Sequence, residues 1–140
     1  MPRAGCPGYN YSGRKTFFGF MIAVGVDIVN LPRFARALER WGNRFAQRLF
    51  TEGELARARG PSAAAELAGN FAAKEALLKA MGTGLTQGIS WRDVEVLRDA
   101  RGAPRYSLSG RAADLFRGRS ALSISHDGDY AIAVCILEKD

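Results

Sequence analysis

The sequence predicts an α+β fold in which an antiparallel sheet packs against one long buried helix and several shorter helices. Two observations carry this prediction. Helical patterns with recognisable ends fill residues 31–82, whereas strand–turn–strand patterns fill most of the later residues. A strand-like run at residues 21–29 precedes the helices and is expected to join the later sheet. Segregation of helices and antiparallel strands along a chain is typical of α+β domains.

The first strand and the first helix follow from one short stretch. "MIAVGVDIV", residues 21–29, is a continuous run rich in β-branched residues, which favours a buried strand. Asn30 can cap a helix, and Pro32 suits an early helical position. We therefore expect a helix that runs to about Gly42, followed by another helical turn or two over residues 43–50.

The next two helices are marked by their ends. Thr51 and Glu54 have the spacing of a capping box, in which each side chain bonds the backbone of the other. Ser62 and Glu66 begin a long helix, and Gly82 ends it. Apolar side chains occupy nearly every direction around this long helix. Such a pattern indicates burial on all sides.

The second half of the chain reads as two hairpins separated by a short helix. "DVEVLRD" and "PRYSLS" flank "ARGA", which predicts the first hairpin. Residues 110–117 favour a short helix. "ALSISH" and "YAIAVCILE" flank "DGD", and this is the stronger hairpin signal because Asp-Gly suits tight turns.

The chain is predicted to be one domain, residues 21–140, preceded by a leader of residues 1–20. It has 140 residues, is 47% apolar, and contains no repeat or Pro/Ser/Gly-rich linker. The leader resembles a signal peptide, but no small-x-small cleavage site follows and Asp27 interrupts the apolar run. Cys6 and Cys135 form no disulfide framework and no metal-ligand spacing. We therefore expect a cytoplasmic protein with a dispensable leader and no membrane span.

The net charge of +6 indicates an acidic partner. A nucleic acid, an anionic membrane, a phosphorylated ligand and an acidic protein are all open at this point. Arg33, Arg36 and Arg40 recur at i, i+3 and i+7, so they share one face of the predicted first helix. A nucleic-acid-binding module is the chief alternative to an enzyme. Against it, the arginines are not interleaved with aromatic stacking residues, and no helix-turn-helix or RNA-binding signature is present.

Two carboxylates in apolar elements, Asp27 and Glu75, are the main candidates for a site. The sequence has no phosphate loop, no dinucleotide-binding glycine motif and no zinc-ligand spacing. Asp27 could simply cap the next helix, Glu75 could pair with Lys79 at i, i+4, and Lys74 could extend its amine to solvent. If the two carboxylates and a lysine converge, they form an oxygen-ligand site suited to Mg2+ and a diphosphate. Spacing alone does not show that they meet.

Two further segments could contact a ligand. His126 ends a strand beside a glycine turn, although a lone histidine is more often structural. "MGTGL", residues 81–85, could be only a helix C-cap and turn, or it could let the backbone approach a phosphate.

Together these stretches resemble the holo-acyl-carrier-protein synthases, the short class of 4′-phosphopantetheinyl transferases. The likeness rests on "GVDIVNLPRF", "FAAKEALLKAMGTG", "WRDVEVLRDARGAP" and "LSISHDGDYAIAVCI", in the family's order over residues 21–140. It implies a Mg2+-dependent transferase that moves 4′-phosphopantetheine from coenzyme A to a serine of apo-acyl carrier protein. Adenosine 3′,5′-bisphosphate is released, and the reaction supports fatty acid biosynthesis. The resemblance also implies a homotrimer with active sites between subunits, and neither nucleic acid nor membrane as a partner.

The resemblance assigns roles to individual residues. Asp27 and Glu75 match the family's Mg2+ ligands, and Lys79 matches the lysine near the diphosphate. Glu75 and Lys79 are therefore the candidate catalytic residues. Four more positions match those around the bound coenzyme A: Gly82, Thr83, Gly84 and His126.

The resemblance also implies a docking face for the carrier protein, and this chain departs from the family pattern at two places. Arg33 matches an arginine that meets acidic residues of the carrier protein, and Arg36 and Arg40 extend the same face. Asn70 stands where the family usually has arginine, which puts one nucleotide or phosphate contact in question, and the leader has no counterpart.

An inactive scaffold that only binds the carrier protein is a second alternative. Retention of both carboxylates and of the lysine speaks against it.

Overall fold

The computed structural model describes residues 15–17 and 20–139. Four of the six strands form an antiparallel sheet in the order β1-β2-β6-β5, and β3 and β4 form a separate hairpin. The elements, in chain order, are β1 (Lys15–Phe17), β2 (Phe20–Asn30), α1 (Leu31–Leu49), α2 (Glu52–Arg57), α3 (Ala63–Met81), β3 (Val94–Arg98), β4 (Pro104–Leu108), α4 (Gly110–Leu115), β5 (Arg119–Asp127) and β6 (Tyr130–Lys139). The predicted α+β plan is confirmed.

The long helix α3 packs on one face of the sheet, against β2 and β6. Because strand side chains alternate between faces, every second residue of β2 points toward α3. The helix-facing side chains of β6 are buried and mostly small: Ala131, Ala133, Cys135 and Leu137. Twelve residues of α3 are buried, which confirms the prediction of a helix buried on nearly all sides.

The opposite face of this sheet is apolar and exposed. Its members are β-branched residues that pair across β2 and β6, such as Val24 with Ile136 and Val26 with Val134. Each is 37–61% exposed, and the full set is Ile22, Val24, Val26, Ile28, Ile132, Val134 and Ile136. A contiguous apolar face of this kind is typical of a protein–protein contact.

The predicted caps of α1 and α2 are confirmed. Asn30 Oδ1 accepts a 2.9 Å hydrogen bond from the backbone N–H of Arg33 at the start of α1. Gly42 has a φ of +69°, which interrupts the helical backbone where the sequence predicted a break. Thr51 and Glu54 form the reciprocal bonds of a capping box at the start of α2.

The predicted limits of α3 and of the second hairpin also agree with the structure. Ser62 precedes α3 without donating or accepting a side-chain cap bond, and Gly82 ends it with a φ of +75°. The β5–β6 hairpin closes through the predicted Asp-Gly turn, in which Asp127 pairs with Tyr130. Gly128 in that turn has a φ of +55°, a conformation that favours glycine.

Three sequence predictions need correction. The first strand begins at Phe20 rather than Met21, and α4 ends at Leu115 rather than at residue 117. The leader also contributes a strand of its own, because β1 pairs antiparallel with the start of β2. The remainder of the leader, including Cys6, lies outside the described residues. Cys135 is a buried free thiol.

Membrane-spanning segments were not predicted from the sequence. Within residues 15–17 and 20–139, no helix has both the length and the hydrophobicity needed to cross a bilayer.

Candidate functional site

Asp27 and Lys79 meet between β2 and α3. The Lys79 Nζ lies 3.1 Å from Asp27 Oδ1 and also donates a 3.0 Å hydrogen bond to the backbone carbonyl of Val26. The Asp27 side chain is 16% exposed and that of Lys79 is 54% exposed. The structure therefore supplies the convergence that sequence spacing could not establish. Asp27 does not cap α1, because Asn30 has that role.

Glu75 joins this pair from one turn earlier on α3. Burial raises the pKa of Glu75, repulsion from Asp27 raises it further, and attraction to Lys79 partly offsets both effects. Lys79 makes its ion pair with Asp27 instead of forming the i, i+4 pair with Glu75. Two carboxylates that repel each other in a half-buried cleft favour the binding of a cation between them.

A cleft of about 450 Å³ opens over these three side chains. Asp27, Glu75 and Lys79 form one wall, and the first turns of α1 form the other. Arg33 lines the cleft from α1, so the two carboxylates share the cleft with two cations, Arg33 and Lys79. Such a mixture of acidic and basic groups fits a ligand that combines a metal ion with phosphate oxygens.

Gly25 allows this cleft to form, because it brings α3 into direct contact with β2. Gly25 and Asp27 both face the helix. A Cβ atom at Gly25 would overlap the carbonyl oxygen of Ala76 and lie 2.8 Å from the backbone nitrogen of Ala80. Only glycine admits this close approach, which places the segment from Glu75 to Lys79 directly over Asp27.

Lys74, the residue before Glu75, serves a different purpose. Its side chain and that of Glu54 are both 0% exposed, and Lys74 Nζ lies 2.7 Å from Glu54 Oε1. It also donates to the backbone carbonyls of Leu49 and Trp91. Burial lowers the pKa of Lys74, and Glu54 acts in the opposite direction. Of the alternatives open for Lys74, an amine extended to solvent is therefore excluded.

The partner of Lys74 was not predicted from the sequence. The capping box identified Glu54, but one of its oxygens also accepts from Lys74 and the other accepts from the backbone N–H of Val96. Two features of the sequence could have indicated this pair. Glu54 is a capping glutamate, and Lys74 is a lysine in an otherwise apolar helix that needs a buried acidic partner.

The predicted coenzyme A residues fall into two separate groups. Gly82 and Gly84, both with positive φ, and Thr83 follow the end of α3, one turn beyond Lys79. His126 lies beside the other end of the helix, where its Nε2 is 3.0 Å from the carbonyl oxygen of Ala65. Ala65 and Lys79 are about 21 Å apart along the helix at 1.5 Å per residue. One chain thus does not bring His126 to the cleft of Asp27 and Lys79.

Asn70 is buried at 4% exposure, and its Oδ1 has no hydrogen-bond partner within the part of the chain that the structure describes. The side chain therefore does not extend to the surface where a nucleotide would be contacted within this chain. An unpaired buried oxygen reduces stability.

The three predicted docking arginines are all exposed on α1. Arg33, Arg36 and Arg40 line a second cavity of about 520 Å³, together with Trp41. Trp41 is 61% exposed, and the guanidinium carbon of Arg40 lies 5.1 Å from the centre of its ring. Sequence analysis did not single out Trp41, because an aromatic residue at the end of a helix reads as packing.

Comparison with known proteins agrees with this fold. The family model of the 4′-phosphopantetheinyl transferase superfamily matches residues 23–135. A holo-[acyl-carrier-protein] synthase from Halorhodospira halophila is 49% identical over 123 residues, which cover 84% of this chain and 98% of the relative. The corresponding protein from Koribacter versatilis is 42% identical over 123 residues, with the same two coverages. The chain belongs to the 4′-phosphopantetheinyl transferase superfamily.

Solved structures extend the similarity to three dimensions. The ACPS–CoA complex from Chronobacterium ammoniagenes has a TM-score of 0.76 and 36% identity, covering 85% of this chain and 98% of that one. The holo-[acyl-carrier-protein] synthase from Neisseria meningitidis has a TM-score of 0.78 and 34% identity, covering 84% and 98%. The fold and family predicted from the sequence motifs are confirmed.

Proposed function

We propose that this protein transfers 4′-phosphopantetheine from coenzyme A to a serine of apo-acyl carrier protein, in support of fatty acid biosynthesis in the cytoplasm. The products are holo-acyl carrier protein and adenosine 3′,5′-bisphosphate. The convergence of Asp27, Glu75 and Lys79 in one cleft is the observation that carries the proposal. Relatives named as holo-[acyl-carrier-protein] synthases, and a neighbour solved with CoA, support the substrate pair.

Asp27 and Glu75 are proposed to hold Mg2+. Both carboxylates line the same cleft. Burial raises the pKa of Glu75, and repulsion from Asp27 raises it further, so a cation bound between the two carboxylates would relieve that repulsion. Carboxylate oxygens are ligands that Mg2+ accepts, and phosphate oxygens and waters would supply the rest of its coordination. When bound, Mg2+ neutralises negative charge on the diphosphate.

The chain's own residues then position the reactants. Lys79 is half exposed, and its Nζ is positioned by hydrogen bonds to Val26 and Asp27, so its remaining N–H donates to a diphosphate oxygen. The serine oxygen attacks the β-phosphorus, a new P–O bond forms, and the bond to the leaving adenosine 3′,5′-bisphosphate breaks. The serine proton goes to a water in the cleft or to Glu75, the carboxylate that lines the cleft from α3.

The active unit is proposed to be a homotrimer with each site between adjacent subunits. Two features support association. The outer face of β2 and β6 is apolar and exposed. His126 and the loop of Gly82, Thr83 and Gly84 lie at opposite ends of α3, so a second subunit is needed to place both groups on one coenzyme A. Light scattering should give three chains per particle, and Val134→Lys, in the middle of the apolar face, should reduce that number.

The docking face for the carrier protein is proposed to be α1, through Arg33, Arg36 and Arg40. These arginines are exposed, and Arg33 lines the catalytic cleft as well as the cavity along the helix. The leader contributes none of the site residues. We therefore propose that residues 1–20 are dispensable for transfer, and a chain that starts at Met21 tests this point.

The decisive experiment is reconstitution with purified components. The protein is mixed with coenzyme A, Mg2+ and apo-acyl carrier protein, and mass spectrometry detects the added phosphopantetheine on the carrier. We expect quantitative modification, its loss with EDTA and its recovery with Mg2+. An unmodified carrier in the complete mixture would reject the proposed function.

A further inference from the structure

The cavity along α1 adjoins the cleft of Asp27 and Glu75. Arg33 and Ala37 line both spaces, so the two meet at these residues, and we refer to them together as the groove that follows α1 outward from the cleft. Arg33 and Trp41 are eight residues apart, or about 12 Å along the helix. Trp41 stands at the outer end of this groove.

Trp41 is held in an exposed position by its neighbours. It is the last residue before Gly42, whose φ of +69° turns the chain away from the helix axis. Its indole is 61% exposed, and the Arg40 guanidinium stacks near the ring at 5.1 Å. A cation–π contact limits the freedom of both side chains before any partner arrives. A single exposed apolar residue is ordinary on a protein surface, but this one closes a groove that leads to the site.

The chemistry of the groove selects its occupant. Three arginines and one glutamate, Glu39, surround the space, so its walls are net positive. A complementary surface would present acidic side chains around an apolar residue. Tryptophan and arginine are also the residues that most often dominate binding energy at interfaces.

We propose that Trp41 is the apolar anchor of carrier-protein docking, packing on an apolar residue of apo-acyl carrier protein that acidic residues flank. This inference rests on the proposed function, and it adds a specificity determinant that the arginines alone do not supply. Charge on the arginines accelerates encounter, whereas burial of the indole slows dissociation. Continuity of the groove with the Asp27 cleft would then hold the acceptor serine near the diphosphate.

The test compares Trp41→Ala with Trp41→Phe, which keeps an aromatic ring. We expect the KM for apo-carrier protein to rise about tenfold or more in Trp41→Ala and less than about threefold in Trp41→Phe. The KM for coenzyme A should not change in either variant. Circular dichroism confirms that both variants are folded, and the exposure of Trp41 makes a folding defect a small concern.

Binding without chemistry separates this inference from the proposed function. Calorimetry with a carrier protein whose acceptor serine is replaced by alanine measures docking alone. Wild-type binding that Trp41→Ala weakens about tenfold supports the anchor, even if transfer fails. Equal binding by both proteins overturns it. A fall in particle mass for Trp41→Ala would place Trp41 against a second copy of the chain and would also overturn the inference.

Fluorescence gives an independent measurement. The chain has two tryptophans, and the other, Trp91, packs against Phe71 at 5.1 Å between ring centres. Addition of the serine-to-alanine carrier should shift the emission of the wild type to shorter wavelength. The same addition to Trp41→Phe should leave the emission unchanged, and an equal shift in both proteins would assign the change to Trp91 and contradict the anchor.

Discussion

Two lysines five residues apart on α3, Lys74 and Lys79, each pair with a carboxylate. The two pairs differ in burial and in the number of hydrogen-bond acceptors around the lysine. Lys74 is fully buried against Glu54, and its three N–H donors meet three acceptors at 2.7–3.2 Å. Lys79 is 54% exposed, and among the described residues it bonds only Val26 and Asp27, which leaves one donor of its ammonium group for a ligand. A completed set of partners fixes the fold, whereas an incomplete set at a cleft is available for chemistry.

The largest effect on the rate of transfer is expected from a change in the Lys79–Asp27 pair. Asp27→Asn keeps the shape of the side chain but removes a negative charge from the metal site. We expect the rate of transfer to fall by at least about a hundredfold, because this charge is needed where phosphate charge is neutralised. Steady-state kinetics checks the rate, and thermal unfolding should show a Tm close to that of the wild type. Full activity would remove Asp27 from the site.

The buried pair should respond in the opposite way. Lys74→Met leaves Glu54 as an unpaired buried carboxylate, and breaking such a pair costs about 3–5 kcal/mol of unfolding free energy. Lys79→Met, the matched variant on the same helix, breaks a more exposed pair worth about 0–1 kcal/mol but should lose transfer. Chemical denaturation of both variants measures the difference. Equal losses of unfolding free energy in the two variants would show that the Lys74 and Lys79 pairs contribute equally to stability.

Gly25 positions the Lys79–Asp27 pair, because it sets the distance from β2 to α3. Gly25→Ala should displace the helix backbone and cost about 1–3 kcal/mol of stability, the usual range for overpacking. Transfer should fall more than stability explains, since Glu75 and Lys79 move with the helix. Kinetics at a temperature where the variant is fully folded isolates this effect. Wild-type activity there would show that the close approach is not required for catalysis.

The smallest effect is expected at the docking face. Arg33→Glu reverses an exposed charge, which mainly alters the rate of encounter with an acidic partner. We expect a severalfold rise in the KM for apo-carrier protein and a weaker dependence on salt, because charges at the surface are screened beyond about 8 Å at physiological ionic strength. Kinetics with each substrate varied at two salt concentrations checks this. A change confined to the KM for coenzyme A would place α1 at the nucleotide.

Much of the fold could be predicted from the sequence, because its signals are local. The caps at Asn30 and Thr51, the break at Gly42 and the Asp-Gly turn act within a few residues. The pairing of Lys74 with Glu54 could not be predicted, since the two residues are 20 positions apart and meet only after α2 packs beside α3. The strand β1 was missed because three residues carry almost no periodic signal.

The residues of the candidate site were predicted from the sequence, but their arrangement in space was not. The motifs named Asp27, Glu75 and Lys79, yet only packing at Gly25 brings the strand and the helix together. The remoteness of His126 from the cleft was likewise invisible in the sequence, because it depends on where β5 crosses α3. Trp41 was missed because exposure is a property of the folded surface.

Glu75→Gln tests most directly the claim that an incomplete set of charges marks the catalytic cleft. The raised pKa of Glu75 means that the folded protein disfavours its ionised form. Ionisation of Glu75 therefore lowers the free energy of unfolding as the pH rises through that pKa. Without metal at neutral pH, Glu75→Gln should therefore be at least as stable as the wild type. The difference should vanish below about pH 4.5, the ordinary pKa of the carboxyl group.

Transfer by Glu75→Gln, measured by mass spectrometry on the same samples used for denaturation, should nevertheless be nearly abolished. We expect unchanged or increased stability together with lost transfer. A variant that is destabilised like Lys74→Met, or one that still modifies the carrier protein at the wild-type rate, would contradict it.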